Sequence, residues 1–438
     1  MTLGGANPGV FDCQEAWYPV FYERDLDRSR PQRFVLLGQP LVIWWDGQWN
    51  TFTDRCPHRL ASLSEGRINE DGNLECPYHG WSFDRSGQCL HIPQQLPGGD
   101  AHTSRRACAQ VHSTKVKQGL VFVYGKAGVE ADPGMIPIVP VIDEESDSWV
   151  CIDTFRDLPY DAFTLLENVL DSSHLPFTHH RSVGNRANAG PVELKVLQSD
   201  RNGFIGFWQE GPRQGKLGSQ TTTFIAPNLM WHDLTSQQFG RTLTVVYATP
   251  IEKGRCRLFA RFPFKFPSFF PRLVFRLTPR WLSHLGQNAI LEDDQIFLHH
   301  QERYFAAGGG SAAVARSFYL PTKADLFVLE FHQWINNYGV DPFPGQVLPP
   351  MLRKDQLLDR YHSHTEICAS CRGALQNIDR LRVLCLSLAI LCLIFAILFV
   401  AKVALLTIGL SFLVLGLGLG KLRTKFYQGR AIPPRNLS

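Results

Sequence analysis

The sequence predicts an α+β protein in three parts. An N-terminal all-β domain comes first, then an α+β domain on an antiparallel sheet, and last a two-helix hairpin that crosses a membrane. Three observations predict this. Short apolar runs punctuated by turn signals fill residues 15–125. Helical stretches mixed with strand-like runs fill 149–378. Two apolar stretches follow, at 383–401 and 403–420, inside a basic-flanked segment 380–425. A chain of 438 residues is long enough to give each folded part its own core.

In the first domain, Phe34–Gly38 and Pro40–Trp45 read as strands, and Asp46-Gly47 is a hairpin signal before Trp49–Phe52. Gly119–Gly125 closes the block. Met1–Gly9 has neither Arg nor Ser, so no presequence is expected there; either none is needed, as in a bacterium, or it has been removed. The eleven Cys are scattered and do not form a disulfide framework, which favours a reducing compartment.

Cys56-Pro57-His58, seventeen further residues, and Cys76-Pro77-Tyr78-His79 carry the first chemistry. Two thiolates on one iron and two imidazoles on the other make a Rieske [2Fe–2S] centre. Neutral imidazoles raise its potential above that of an all-Cys cluster. Cys₂His₂ also satisfies tetrahedral zinc, but zinc fingers of that composition usually pair Cys with Cys and His with His along the chain. Here each loop supplies one of each, Pro57, Pro77 and Gly80 shape two tight turns, and Trp81 and Phe83 can shield them. Cys56, His58, Cys76 and His79 are therefore the expected cluster ligands.

Residues 126–148, rich in Pro, Gly, Asp and Glu, mark a linker. Beyond it, strands are expected near Thr221–Ile225 and Arg241–Thr249, and helices near 159–171, 283–306 and 322–339. Asp171 and His174 stand at i and i+3, one face of a helix. Pro176 then breaks that helix, so His179 can fold back beside His174. His180 reads as an ordinary hydrogen-bonded histidine. Two neutral imidazoles and a downstream carboxylate make the 2-His-1-carboxylate site of non-haem Fe(II) oxygenases, with positions open for O₂ as cosubstrate. Glu292-Asp293-Asp294-Gln295 is the best source of the carboxylate, although such a run alone is usually a solvated helix start.

Val383–Ala401 and Val403–Gly420 are each about long enough to cross ~30 Å of hydrocarbon. A single long span would bury Lys402 at mid-membrane, where charge is expensive, so two spans joined by a tight turn fit better. Arg380 and Arg382 before them, and Lys421, Arg423 and Lys425 after, place both ends and the soluble part on the cytoplasmic or stromal side.

These motifs together resemble the Rieske non-haem iron oxygenases. The likeness is closest to the branch of pheophorbide a oxygenase, chlorophyllide a oxygenase and a Rieske component of the chloroplast translocon. It rests on Cys56–Ala61, Leu63–Arg67, Cys76 with Tyr78–Phe83, and Glu167-Asn168 through His179-His180. Gln301-Glu302, Ala324-Asp325 with Phe327–Leu329, His364-Thr365 and Cys368-Ala369-Ser370-Cys371 extend it, as do the two spans. The resemblance implies a helix-grip-like catalytic domain and mononuclear iron on His174, His179 and Asp294, in preference to Asp293. It also implies a homotrimer in which Asp171 bridges the cluster of one subunit to the iron of the next. Reduced ferredoxin would supply the electrons, and the substrate would be a chlorophyll-derived tetrapyrrole: pheophorbide a, chlorophyllide or protochlorophyllide. The membrane would be a thylakoid or plasma membrane of a cyanobacterium-like cell, or a chloroplast membrane. Two alternatives stay open, a redox-sensing or translocon-associated protein without turnover and an oxygenase of another lipophilic substrate such as a sterol. The first would not need His174, His179 and Asp294.

Cys368 and Cys371 can be redox-active, inert or metal-binding, with only His362 and His364 nearby in sequence. The resemblance implies a thiol switch addressed by thioredoxin. Residues 253–291 hold eight Lys or Arg, eight Phe or Trp and no acid. Part of this must be strand packing, and the rest reads as an interfacial segment on the lipid surface. Nucleic-acid binding is not expected, since nothing else in the chain supports it.

Overall fold

The computed structural model describes residues 9–144, 148–236, 240–398 and 402–437. Most of the segment on which the presequence expectation rests, part of the linker and the turn between the two spans lie outside the described residues.

The N-terminal strands are β1 (Trp17–Tyr22), β2 (Gln32–Leu36), β3 (Gln39–Trp45), β4 (Trp49–Thr53), β5 (Arg67–Ile68), β6 (Leu74–Glu75), β7 (Ser82–Phe83), β8 (Cys89–His91), β9 (Val111–His112), β10 (Thr114–Lys117) and β11 (Leu120–Tyr124). They form three sheets, ordered β1-β11-β10, β2-β3-β4-β9 and β5-β6-β7-β8. The β3–β4 hairpin turns at Asp46-Gly47, where Gly47 takes φ +104°, a conformation that favours glycine. Trp44, Phe52, Leu63, Leu74 and Phe83 pack with Cys56 and Cys76 in one apolar cluster at the small β5-β6-β7-β8 sheet. The metal loops therefore grow out of a solid apolar base.

The linker is packed on both sides. It carries α1 (Pro140–Glu144), and Ile136, Val139 and Ile142 share a core with Trp17, Leu120 and Tyr247. Trp17 Nε1 donates to the Asp132 carbonyl (3.0 Å) and the Tyr247 hydroxyl to that of Pro137 (3.0 Å).

Seven antiparallel strands follow: β12 (Val150–Leu158), β13 (Leu194–Asp200), β14 (Gly203–Trp208), β15 (Gln220–Ile225), β16 (Leu229–Ser236), β17 (Gly240–Glu252) and β18 (Arg255–Lys265). Their order is β12-β18-β17-β16-β15-β14-β13. The helices are α2 (Ala162–Leu170), α3 (Leu175–Thr178), α4 (Phe269–Leu277), α5 (Arg280–Ala307), α6 (Val314–Ser317), α7 (Leu326–Tyr338) and α8 (Lys354–Leu357). Leu165, Leu166 and Leu170 of α2 and Phe331 and Trp334 of α7 bury against Phe204 and Phe224 of the sheet. Strand β1 docks on this sheet through its carbonyls, which accept from Asn228 Nδ2 (2.7 Å, Trp17), Thr249 Oγ1 (2.6 Å, Pro19) and Arg257 Nη1 (3.1 Å, Val20).

The acidic run is no solvated helix start, and the helix expected to carry Asp171 and His174 needs correction. The Glu292–Gln295 run lies in the middle of α5, and all four residues are buried. Asp171 and His174 share no helix. Asp171 caps the end of α2 and takes the Ser173 N–H (2.7 Å) and Oγ (2.6 Å) on its carboxylate. That local bond competes with the helix and ends it. Pro176 sits in the first turn of α3, so it starts a new helix where it was expected to break an old one.

Helices α9 (Ala369–Leu398) and α10 (Lys402–Thr424) are each long and apolar enough to cross a membrane. Lys402 begins the second of them. They lie side by side, and a Cβ on Gly416 would come within 2.9 Å of Leu386 Cδ2, so glycine permits that approach. Beyond α10 the chain returns to the domain of the seven-stranded sheet. Phe426 is fully buried, and its carbonyl accepts from Thr365 Oγ1 (2.7 Å).

Two candidate metal centres

The two loops between β4 and β7 repeat one hydrogen-bond pattern. Cys56 N–H donates to the Ala61 carbonyl (2.8 Å) and Leu60 N–H to that of Cys56 (2.9 Å). Cys76 N–H donates to Trp81 (2.8 Å) and Gly80 N–H to Cys76 (3.1 Å). Each turn needs a left-handed residue at its fourth position, which is Leu60 at φ +60° and Gly80 at φ +72°. The result is two buried thiols beneath two more accessible imidazoles. The His58 and His79 ring centroids lie 4.6 Å apart, and Trp81 stacks on His58 at 4.6 Å with an interplanar angle of 5°. Backbone N–H groups of His58 and Arg59 turn to the Cys56 sulfur, and those of Tyr78 and His79 to Cys76. Such donors favour thiolate over thiol and tune a cluster's potential. Partial burial, with the nearby His58 and Arg59, lowers the His79 pKa and keeps the imidazole neutral.

The second constellation gathers His174, His179 and Asp294, whose ligand atoms all lie within 4.8 Å of one another. Asp294 Oδ2 is 3.2 Å from His179 Nε2, and Oδ1 is 3.9 Å from His174 Nε2. The other ring nitrogens are occupied. His174 Nδ1 donates to the Asp171 carbonyl, and His179 Nδ1 stands 3.4 Å from Asp293 Oδ2. Both imidazoles therefore turn Nε2 to one point, as outer hydrogen bonds arrange for metal ligands. Asp294 Oδ1 is buried with no hydrogen-bond partner. A buried carboxylate oxygen without a hydrogen-bond partner, beside two converging imidazole nitrogens, fits a bound cation. Burial alone would lower the His179 pKa, but the Asp293 and Asp294 carboxylates, accepting from the ring and by their charge, raise it to about 9, so a cation bound here would take the place of the Nε2 proton.

The acidic run divides its labour. Glu292 is clamped by Arg360 Nη2 (2.7 Å) and Arg156 Nη1 (2.8 Å), all three buried. Asp293 also takes Ser182 Oγ (2.8 Å), and Asp294 alone reaches both Nε2 atoms. Asp171 is half-exposed beside His174, with Oδ2 3.9 Å from Nδ1. His180 accepts the Arg186 N–H (3.2 Å) and stays outside the cluster.

Several contributors were not legible beforehand. Arg435, in the returning tail, donates to the carbonyls of Thr178 (3.1 Å) and Asp293 (2.5 Å). His232 lies under the site, its Nε2 on the Val169 carbonyl (2.9 Å) and its Nδ1 near Thr222 Oγ1 (2.8 Å) and Gln220 Nε2 (3.0 Å). Complete burial lowers its pKa to about 4 and keeps it neutral. Gln301, singled out by resemblance alone, shares Glu167 with His332 and so ties α5, α2 and α7 together. An open groove of ≈ 780 Å³ runs along the C-terminal part of α5, lined by Phe297, Gln301, Tyr304, Phe305, Arg316 and Phe318 among others.

Residues 16–112 match the Rieske [2Fe-2S] domain, and residues 224–312 match the pheophorbide a oxygenase domain. The chain is 39% identical over 403 residues to the chloroplastic pheophorbide a oxygenase of Oryza sativa subsp. japonica, covering 85% of this chain and 75% of that one. It belongs to the pheophorbide a oxygenase family. A further relative, the chloroplastic flavonoid 8-hydroxylase 2 of Ocimum basilicum, is 33% identical and covers 85% of this chain and 76% of its own. The fold is also that of dicamba monooxygenase bound to dicamba, with a TM-score of 0.60 at 21% identity, covering 75% of this chain and 98% of that one. As a member of this family the chain is a Rieske-type oxygenase with a [2Fe–2S] cluster and a mononuclear iron. Both residue sets fit those groups: paired thiols and imidazoles for the one, an orphaned carboxylate between two Nε2 atoms for the other.

Proposed function

We propose that this chain oxygenates a chlorophyll-derived tetrapyrrole at a membrane surface, using O₂ and electrons from reduced ferredoxin. Cys56, His58, Cys76 and His79 hold the cluster, and His174, His179 and Asp294 hold the iron. When bound, these groups supply single electrons and coordination positions open to O₂. The carrying observation is the unpartnered Asp294 Oδ1 facing two imidazoles whose other nitrogens are engaged.

The chain's own residues prepare that chemistry. Asp293 and the Asp171 carbonyl fix the two imidazole tautomers, and His232 stays neutral beneath them. In a homotrimer, the half-exposed Asp171 carboxylate receives a cluster histidine of the neighbouring chain, and the exposed His58 and Tyr78 form the docking tip. Phe297, Gln301 and Tyr304 recur along α5 at helical spacing from Asp294, so the groove they line opens onto the iron face. Its aromatic walls suit a flat macrocycle, and Arg316 at its rim suits a carboxylate side chain. Helix α4 has no buried residue and exposes Phe269, Phe270 and Leu277. It rests on the lipid beside the hairpin, so a membrane-dissolved substrate reaches the groove without crossing water.

Turnover with reduced ferredoxin and isotopically labelled O₂ tests the reading, offering pheophorbide a, chlorophyllide, protochlorophyllide and a flavone. Label in a tetrapyrrole product supports it. Label in the flavone alone overturns the substrate, and label in none, with both metal centres loaded, overturns oxygenase turnover.

A further inference from the structure

The CxxC motif does not stand alone in space. Cys368 and Cys371 meet His364 and His284, and the four ligand atoms lie within 4.8 Å of one another. His284 Nδ1 is 3.0 Å from His364 Nε2 and 3.5 Å from each sulfur, and His364 Nε2 is 3.3 Å from Cys371 Sγ. His362, the other imidazole near the motif in sequence, is exposed and pairs with Asp359 (2.6 Å).

We propose that His284, His364, Cys368 and Cys371 bind one structural zinc ion. Bonds of 2.0–2.1 Å to nitrogen and 2.3 Å to sulfur in a tetrahedron put ligand atoms about 3.3 Å (N–N), 3.6 Å (N–S) and 3.8 Å (S–S) apart. The observed 3.0 Å N–N and 3.3–3.5 Å N–S separations come within about 0.3 Å of those values. The outer nitrogens are committed in the way zinc ligands need: His284 Nε2–H donates to the Asp153 carbonyl (2.8 Å) and His364 Nδ1–H to that of Phe155 (2.6 Å), both on β12. Two imidazole lone pairs then face each other at 3.0 Å, an arrangement a cation between them stabilises. Two thiolates and one Zn²⁺ cancel in charge, which suits a site sunk in the core of Tyr22, Phe155, Phe259 and Phe426. The four residues are 0% to 1% exposed, so the site is closed, as structural zinc sites are.

The ion would join two stretches of chain far apart in sequence, α5 and the run from Tyr361 into α9. His284 lies on α5 ten residues before Asp294, His364 on the turn Tyr361–Thr365, and Cys371 in the first turn of α9. It would fix the iron-bearing helix relative to the membrane hairpin.

Metal analysis of the full-length protein in detergent tests this. About one zinc per chain is expected beside the irons of the two redox centres. His284→Ala and Cys371→Ser should each drop it at least tenfold while keeping the Rieske electron-paramagnetic signal. His179→Ala should keep the zinc, which excludes zinc lodged in the iron site. If the two zinc-site variants fail to fold, the unaltered protein grown with cobalt still decides. It should show the intense visible bands of tetrahedral cobalt and a thiolate-to-cobalt charge-transfer band. Zinc absent with the two thiols free or joined as a disulfide, iron in its place, or zinc lost with His179→Ala would each overturn the proposal.

Discussion

Asp293 Oδ2 stands 3.4 Å from His179 Nδ1, on the opposite side of the ring from the 3.2 Å approach of Asp294 Oδ2 to Nε2. Two adjacent carboxylates of α5 thus address the two nitrogens of one imidazole. The expected consequence is a graded series. Asp294→Ala should abolish mononuclear iron binding, whereas Asp293→Ala should weaken it about 10–100-fold by releasing the ring. Asp293→Asn, which keeps an acceptor for Nδ1–H but not the charge, should fall between. Iron retained under a chelator challenge, with the Rieske signal as internal reference, measures all three.

Gly80 at φ +72° and Leu60 at φ +60° occupy equivalent positions in the two cluster loops. A Cβ on Gly80 would lie 3.1 Å from Pro93 Cγ, whereas Leu60 is 69% exposed. Gly80→Ala should therefore cost about 1–2 kcal/mol from backbone strain and lower the temperature at which the cluster's visible absorbance bleaches. Leu60→Gly should hold or raise that temperature.

What could be read beforehand was local. The cluster loops carry each Cys and its His within four residues, and the turn chemistry of Pro57, Pro77 and Gly80 is written beside them. His174 and His179 were legible for the same reason. The division of labour between Asp293 and Asp294 was not, because one step around a helix turns a side chain by about 100° and the sequence does not state the phase of α5 against α3. The Asp171–His174 helix was misread because the Ser173 bonds that end α2 compete with helix on nearly equal terms. His284 and Arg435 were invisible. Each reaches its site across long sequence separations, His284 to His364 and Arg435 to Asp293, with no motif of its own.

Glu302 is pushed up to about 7 by burial and by the charge of Asp161. An unfolded carboxyl near 4.5 has lost its proton where the folded one still holds it. The unfolded state then binds fewer protons, so stability falls as pH rises from 4.5 through 7 and flattens above. Glu302→Gln should remove this slope and gain about 1–3 kcal/mol at alkaline pH. Unfolding midpoints on the acid and alkaline sides of neutrality, compared between the two proteins, check it.

Glu292 accepts from Arg156 and Arg360 with all three side chains almost fully buried. Removing the carboxylate leaves two guanidiniums without a counter-charge, which costs about 3–5 kcal/mol when one member of a buried pair is deleted. Because Glu292 is two residues from Asp294, Glu292→Ala should lower the unfolding midpoint and the mononuclear iron content together. The Rieske signal, from a separate core, should persist until the whole protein unfolds.

Arg435 lies beyond the two long apolar helices, yet its guanidinium donates to the Asp293 and Thr178 carbonyls and lies 5.6 Å over the Phe297 ring. The tail therefore braces both the iron helix and the wall of the groove. Two charge-assisted bonds to backbone carbonyls make Arg435→Ala cost about 1–3 kcal/mol locally. Lys at this position keeps the charge but not the fork that reaches two carbonyls, so Arg435→Lys should rescue only part of the loss. The telling measurement is iron loss under chelator challenge with the hairpin intact. Faster loss in Arg435→Ala than in the unaltered protein, at equal Rieske content, would show that the returning tail belongs to the site. Equal rates would make it packing alone.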